Sequence, residues 1–230
     1  MVYKEKRKTK KYFIILFFTL IITSVHTAET WLSAEYQYGF SFVKGEDIES
    51  DSSPESKEFK IGYSGINIKT YTFWNSQNIG LFTKAGLRLP YFIRNDNENN
   101  YMKYGGIPLS LGTGLGFRHI LSEKSNIHYA VGLGFDFFMF FSKYKSLIDM
   151  QEYTQKLDIS LLFDIGYKYN LNNNIYLNTG ANLNFGFAKH IKQSRKSDLH
   201  NNSTSKWAKG SFSFEFMPYF GIGFIINSKK

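Results

Sequence analysis

Asp158-Ile-Ser-Leu-Leu-Phe-Asp-Ile-Gly-Tyr-Lys-Tyr-Asn-Leu171 is the stretch that decides the fold. Ile159, Leu161, Phe163, Ile165, Tyr167, Tyr169 and Leu171 fall on one face of an extended chain. Asp158, Ser160, Asp164, Gly166, Lys168 and Asn170 fall on the other, with Leu162 the one large apolar intruder. The segment is longer than an ordinary soluble strand, and its period is two rather than 3.6. A tilted transmembrane strand needs about nine to eleven residues with one fatty face and one polar or small face.

The same rhythm recurs along most of the chain. A first strand runs from Trp31 to Val43, with Leu32, Ala34, Tyr36, Tyr38, Phe40 and Phe42 opposed to Ser33, Glu35, Gln37, Gly39 and Ser41. A second sets Ile66, Ile68 and Trp74 against Asn67, Lys69 and Tyr71. Upstream of it, Phe59, Ile61 and Tyr63 keep the opposite phase, which a bulge near Ser64 and Gly65 would reconcile. The third and fourth strands put Lys84, Gly86 and Arg88, then Ser110, Gly112, Gly114, Gly116 and Arg118, on the polar face; the fourth begins at Ile107. The fifth contributes Ala130, Gly132, Gly134 and Asp136, the seventh Asn178, Gly180, Asn182, Asn184 and Gly186, the last Ser213, Glu215, Tyr219, Gly221 and Gly223.

The connections between these strands alternate in length. Lys44 to Glu58, Arg94 to Tyr104, Ser142 to Lys156 and Lys189 to Lys209 read as long loops. Asn75 to Asn78, Ser122 to Asn126 and Asn172 to Asn174 read as short turns. Short turns at one end and long loops at the other are the pattern of bacterial outer-membrane barrels, whose short turns are periplasmic. The fold class expected is therefore all-β, an eight-stranded antiparallel up-and-down transmembrane barrel.

Lys4, Lys6, Arg7, Lys8, Lys10 and Lys11 precede an apolar run from Tyr12 to Ile22 and small residues up to Ala28. This reads as a secretory signal peptide over 1–28, leaving 29–230 as one barrel domain. The apolar run is shorter than the roughly 20 residues of a spanning helix. The leader also carries much of the formal charge of +9, so the high pI is no argument for nucleic acid as a partner. The chain has no cysteine, which excludes disulfides, thiolate metal sites and a cysteine nucleophile.

With these features the chain resembles the small eight-stranded outer-membrane barrels, the OmpA, OmpX and OmpW-like superfamily. The resemblance covers Trp31 to Ile226 and rests on the leader, the strand alternation, the turn rhythm and the aromatic final strand from Phe212. It implies residence in the bacterial outer membrane and contact with its lipid. It also implies handling by periplasmic chaperones and the barrel-assembly machinery during biogenesis, and a monomer. Such barrels finish on an aromatic residue, whereas here Ile225 to Lys230 follow Phe224.

A lipocalin-like secreted barrel would share the strand count but point its apolar face inward. The polar face argues against this. It is dense in Gly and Asn and carries few charges, as expected of a narrow interior filled by side chains. The charges there are of both signs, and shielded charges need partners. The candidate site is accordingly an internal charge network of Glu35, Lys84, Arg88, Arg118, Asp136, Asp164, Lys168 and Glu215, with Lys69 on the same face. Trp31, Trp74, Tyr129, Tyr167 and Tyr169, near the short turns, are placed for an interfacial aromatic girdle.

No catalytic constellation is legible. Gly112, Gly114 and Gly116 share one strand face with no helix following, so they read as lumen packing rather than a phosphate loop. His119 and His128 flank a turn without a carboxylate partner, which makes a poor metal site. No cofactor is expected, and no enzyme activity. The function expected is a structural or surface-interaction role through four loops, with a host or surface ligand as partner. The alternative is a narrow porin-like passage for small solutes. The first loop is acidic (Glu46, Asp47, Glu49, Asp51, Glu55, Glu58) and the fourth basic (Lys189, Lys192, Arg195, Lys196, Lys206, Lys209); closure of the barrel would make them neighbours.

Overall fold

In the computed structural model, residues 28–46, 56–74, 77–95, 109–145, 149–196, 201–208 and 212–227 are described. The proposed leader, the outer parts of the first two long connections, the start of the fourth strand at Ile107, and most of the acidic loop lie outside these residues. Nine strand segments form one antiparallel sheet: β1 (Ala28–Glu46), β2 (Ser56–Trp74), β3 (Ile79–Asn95), β4 (Leu109–Ile120), β5 (Ser125–Lys145), β6 (Asp149–Asn170), β7 (Ile175–Lys196), β8 (Asn201–Ala208) and β9 (Phe212–Asn227).

Each strand pairs with its sequence neighbour from β1 to β7. β9 pairs with β7 on one side and β1 on the other, from Glu29↔Asn227 to Lys44↔Phe212. That last ladder closes the barrel and satisfies the backbone groups of both terminal strands, as a wall in hydrocarbon must. β8 adds to the same edge of β7 that β9 uses lower down, Lys189↔Ala208 above Gly186↔Ser213. β8 and β9 therefore share one position around the wall, and the barrel has eight staves.

The short connections are where the sequence puts them. The Gln77 N–H donates to the Trp74 carbonyl at 2.8 Å. Ser122 and Ser125 share a hydroxyl contact of 2.7 Å, closing the second turn. The Asn172 Oδ1 accepts from the Asn174 and Ile175 backbone N–H groups at 2.9 and 2.8 Å, the local bond that suits asparagine to turns.

Two of the long connections differ from expectation. β5 runs on to Lys145 and β6 begins at Asp149, with Tyr144↔Met150 and Phe141↔Tyr153 in register. Ser142 to Lys156 is thus mostly ladder. Likewise Lys189 to Lys209 is a hairpin of upper β7 and β8. The polarity of both segments suggests loops. Aromatic and β-branched residues in and beside the first, Phe140, Phe141, Tyr153 and Thr154 among them, favour strand all the same, and above a membrane a strand has no need of an apolar face.

The phase break assigned to the second strand belongs elsewhere. β2 pairs with β1 without interruption from Trp74 to Ser56. The irregularity is on β3: Gly62 opposes Phe92 and Tyr63 opposes Pro90, so Tyr91 is the extra residue. Pro90, which has no N–H to give the ladder, stands at this bulge. Ile61 and Tyr63 keep the face of Asn67 and Lys69 and are buried inside.

The faces are assigned by adjacent residues. Leu161 is 46 % exposed on the outer wall and Leu162 0 % exposed inside. Ile66, Ile68, Leu87, Leu115, Leu133, Ile165, Phe220 and Ile222 share the outer surface, while Glu35, Lys69, Arg88, Asp164 and Glu215 are buried. An apolar exterior around a charged interior is the inverse of a lipocalin, and only hydrocarbon makes such an exterior stable.

Candidate functional site: the charged interior

The interior is built in levels. At the short-turn end lies an aromatic floor of Trp31, Tyr71, Phe73, Phe82 and Tyr176. The Trp31 ring meets Phe73 edge-on at 4.8 Å between centroids, and Tyr71 meets His128 at 4.9 Å. Glycine makes this packing possible. A Cβ on Gly116 would lie 2.7 Å from the Tyr71 ring and one on Gly112 2.8 Å from Leu162, so these two glycines of β4 are lumen spacers. Trp31 belongs to this floor and not to the girdle proposed for it, because it shares the odd-numbered phase of Ser33 and Glu35. Tyr129, Tyr167 and Tyr169 do face outward.

Above the floor, Lys69 on β2 is the centre of the lower charge cluster. Its Nζ lies 2.8 Å from Glu35 on β1 and 2.6 Å from Asp164 on β6. The ammonium also sits over the Tyr219 ring, 3.2 Å from its centroid. Tyr71 and Tyr219 donate hydroxyls to Asp164 at 2.5 and 3.2 Å. Ser33 and Asn178 donate to Glu35 at 2.9 and 2.5 Å. Each carboxylate thus has both a cation and neutral donors, the condition for keeping a charge in a shielded interior.

A second cluster lies nearer the long-loop end. The Arg88 guanidinium on β3 reaches Glu215 on β9 at 2.7 Å and Asp136 on β5 at 3.4 Å. It also donates to Ser110 at 2.8 Å, and Asn184 donates to Glu215 at 2.8 Å. A third pair, Lys189 with Asp158 at 3.9 Å, stands beside Ser213, which donates to Asp158 at 2.9 Å. At the floor's rim Arg118 pairs with Glu29 at 2.5 Å.

All eight charges of the candidate site are thus interior, but they fall into separate groups. Glu35 and Asp164 meet through Lys69, and Arg88, Asp136 and Glu215 meet directly. Arg118 finds its partner outside the candidate set. Lys168 lies over the Trp31 ring, 3.5 Å from its centroid. Lys84 is buried with no hydrogen-bond partner for its Nζ. Sequence reasoning leaves Lys69 out of the candidate set although its phase is known; only the cross-barrel distances reveal it as the hub. It also misses Glu29, Asp158 and Lys189.

His119 is exposed on the outer face, whereas His128 is buried inside with its Nε2 3.3 Å from the Tyr219 hydroxyl. The two cannot share a metal ion from opposite sides of the wall, and no metal-ligating cluster occurs among the described residues.

No protein-family model matches the chain, and no curated protein sequence does. Solved structures do. A major outer membrane protein from Thermus thermophilus is similar at 12 % identity, covering 86 % of this chain and 99 % of that one, with a TM-score of 0.54. OprG from Pseudomonas aeruginosa is similar at 10 % identity over 88 % and 97 % of the two chains, TM-score 0.54. The outer membrane protein AlkL, solved in DMPC bilayers, is similar at 16 % identity over 88 % and 92 %, TM-score 0.52. At these identities the likeness is one of fold. The chain has the fold of the small outer-membrane β-barrels, closed by eight antiparallel staves and spanning the membrane with strands.

Proposed function

We propose that this chain is an exported, monomeric integral protein of the bacterial outer membrane whose barrel is a sealed stand for its surface hairpins. Residues 1–28 act as the signal peptide and 29–230 as the barrel. Export implies periplasmic chaperones and the barrel-assembly machinery as transient partners, and outer-membrane lipid as the permanent one. The working surface is the long-loop end, above all the β5–β6 and β7–β8 hairpins, offered to a host or surface ligand. We assign it no reaction.

The observation that carries this reading is the cross-bracing of the lumen. Lys69 ties β2 to β6 and Arg88 ties β3 to β9, each through contacts of 2.7 Å or less. Two ionic struts at different heights leave a small interior no straight path for solutes. In a planar bilayer the purified protein is expected to show no steady discrete openings; regular conductance steps would replace this reading with the porin-like one. Orientation is tested separately. Protease on intact cells is expected to cut between Lys196 and Asn201, and an epitope tag at Asn173 to stay hidden. A tag readable on intact cells would invert the topology.

One observation favours the narrow passage as a second reading. Lys84 Nζ, Ser160 Oγ and both side-chain polar atoms of Asn182 are buried without protein partners. Buried polar groups are normally satisfied, by water where protein does not serve. A hydrated middle section is the starting point from which rearranged struts could make a conducting path.

A further inference from the structure

We propose that the short-turn mouth of the barrel is an oxyanion-binding site. It would hold a carboxylate or phosphate group between Arg118 and Lys168 beside the Trp31 ring, with the Glu29 carboxylate as its resident occupant.

Among the described residues the other buried cations are matched or outnumbered by nearby acids: Lys69 has Glu35 and Asp164, Arg88 and neighbouring Lys84 share Asp136 and Glu215, and Lys189 has Asp158. Among the described residues the mouth reverses this balance, with Arg118 and Lys168 facing the single carboxylate of Glu29. Lys168 is 1 % exposed and takes no carboxylate partner among the described residues. Its ammonium rests on aromatic rings, 3.5 Å from the Trp31 centroid and 5.0 Å from that of Tyr176. Arg118 lies over Phe73 at 4.6 Å and near Trp31 at 5.8 Å. Ring faces stabilise these cations without neutralising them, so the mouth sets two basic side chains against one carboxylate in a largely desolvated frame.

Glu29 shows what the frame accepts. One of its oxygens takes the Arg118 Nη1–H at 2.5 Å and the other takes the Trp31 Nε1–H at 2.6 Å. Two donors so placed suit any planar carboxylate or tetrahedral phosphate. Glu29 is also the one member that reaches solvent, with its side chain 33 % exposed. Its backbone stays paired with Phe73 and Asn227, so its side chain can swing outward at the opening without breaking the barrel. An incoming oxyanion seated deeper between the two cations can meet Lys168 directly, which Glu29 reaches only through space. Orientation with short turns inside the cell envelope would make the ligand a periplasmic one. The binding chemistry itself does not depend on that orientation or on a sealed lumen.

Nanodiscs of phosphatidylcholine leave both mouths open to solvent and provide the test. In a Trp74→Phe, Trp207→Phe background, Trp31 is the remaining one of three tryptophans. Titration with inorganic phosphate, and separately with acetate, at constant ionic strength set by chloride, should shift its emission to saturation. The shift should be lost in Lys168→Met and kept in Lys168→Arg. Glu29→Gln, which removes the resident competitor, should move the midpoint to lower anion concentration. Saturation with phosphate but not acetate would narrow the ligand to phosphoryl groups. A shift already present in discs containing phosphatidylglycerol would name the lipid headgroup as its source. The proposal is overturned if the titrations match chloride alone, or if Lys168→Met responds like its parent. If Lys168→Met fails to fold, an unchanged midpoint in Glu29→Gln overturns it equally.

Discussion

Lys189 points into the barrel, 3.9 Å from Asp158, because the extra residue before it, Phe187, is taken up as a bulge. On β7 Gly186 opposes Ser160 and Ala188 opposes Ile159, so Phe187 has no partner on β6. Below this bulge the even-numbered residues Asn178, Asn182 and Asn184 face inward; above it Lys189 does. A bulge that shifts the phase by one residue turns a side chain across the wall. Deleting Phe187 should close the bulge and keep Lys189 opposite Asp158, because Ala188 and Lys189 then follow Gly186 in regular alternation. Lys189→Met removes the charge alone and should cost about 1–3 kcal/mol, the range for stranding a buried polar group. The deletion keeps the pair and should cost less than the substitution in urea unfolding from lipid vesicles; a deletion as costly as Lys189→Met would mean that the contact needs the bulge itself.

Lys69 is expected to be the most sensitive charge in the lumen. It serves two carboxylates at once, at 2.8 and 2.6 Å. Lys69→Met leaves Glu35 and Asp164 facing each other, and losing one partner of a buried pair costs about 3–5 kcal/mol. The triple variant Lys69→Met, Glu35→Gln, Asp164→Asn removes both signs together and should recover much of that loss. Urea unfolding of both variants from vesicles checks this; a triple variant as unstable as the single one would place the role of Lys69 in packing against Tyr219.

The strand order, the barrel and its inside-out polarity were legible because a two-residue period writes burial directly into sequence. Over Leu109 to Arg118, Asp158 to Asn170 and Phe212 to Phe224 the inward and outward residues match their reading. What escaped was whatever depends on a contact across the barrel or a break in phase. Lys69 and Lys84 occupy equivalent phases and oppose each other in register, yet one is doubly paired and the other has no partner. Nothing in their local sequence separates them. Trp31 looked interfacial by residue type, while its phase placed it inside; phase prevailed because the floor needed a large ring. The Tyr91 and Phe187 bulges were invisible for a related reason: a bulge keeps composition and changes only which partner each residue meets.

On the lipid face, Leu161 and Leu133 are exposed near the middle of β6 and β5 and oppose each other in register. Arg at either site should cost about 2–4 kcal/mol near the bilayer midplane, less toward the interfaces. Asn182→Ser, inside, exchanges one small polar residue for another and should be mild. Refolding into vesicles of defined thickness measures both; Leu161→Arg of unchanged stability would contradict the assignment of this face to hydrocarbon.

Arg88 is the residue whose loss should change permeability rather than stability alone. Its guanidinium crosses from β3 to Glu215 on β9, and also holds Asp136 and Ser110. Lys84 already lies close by with no partner of its own. Arg88→Ala removes the largest charged side chain at that height and leaves two carboxylates that must be hydrated or drawn toward Lys84. Water admitted to solvate them would widen the path left by the missing guanidinium. Single-channel recording is therefore expected to show discrete openings for Arg88→Ala against a silent parent protein. A larger preference for cations should accompany them, since Asp136 and Glu215 then line the gap. Arg88→Lys keeps one charge but cannot span the same set of acceptors, because its single ammonium replaces a fork of donors; it should show briefer or rarer openings. Arg88→Ala that folds and stays silent would locate the seal elsewhere, at the Lys69 cluster or the aromatic floor. Pairing it with Lys69→Met would then discriminate between those two levels.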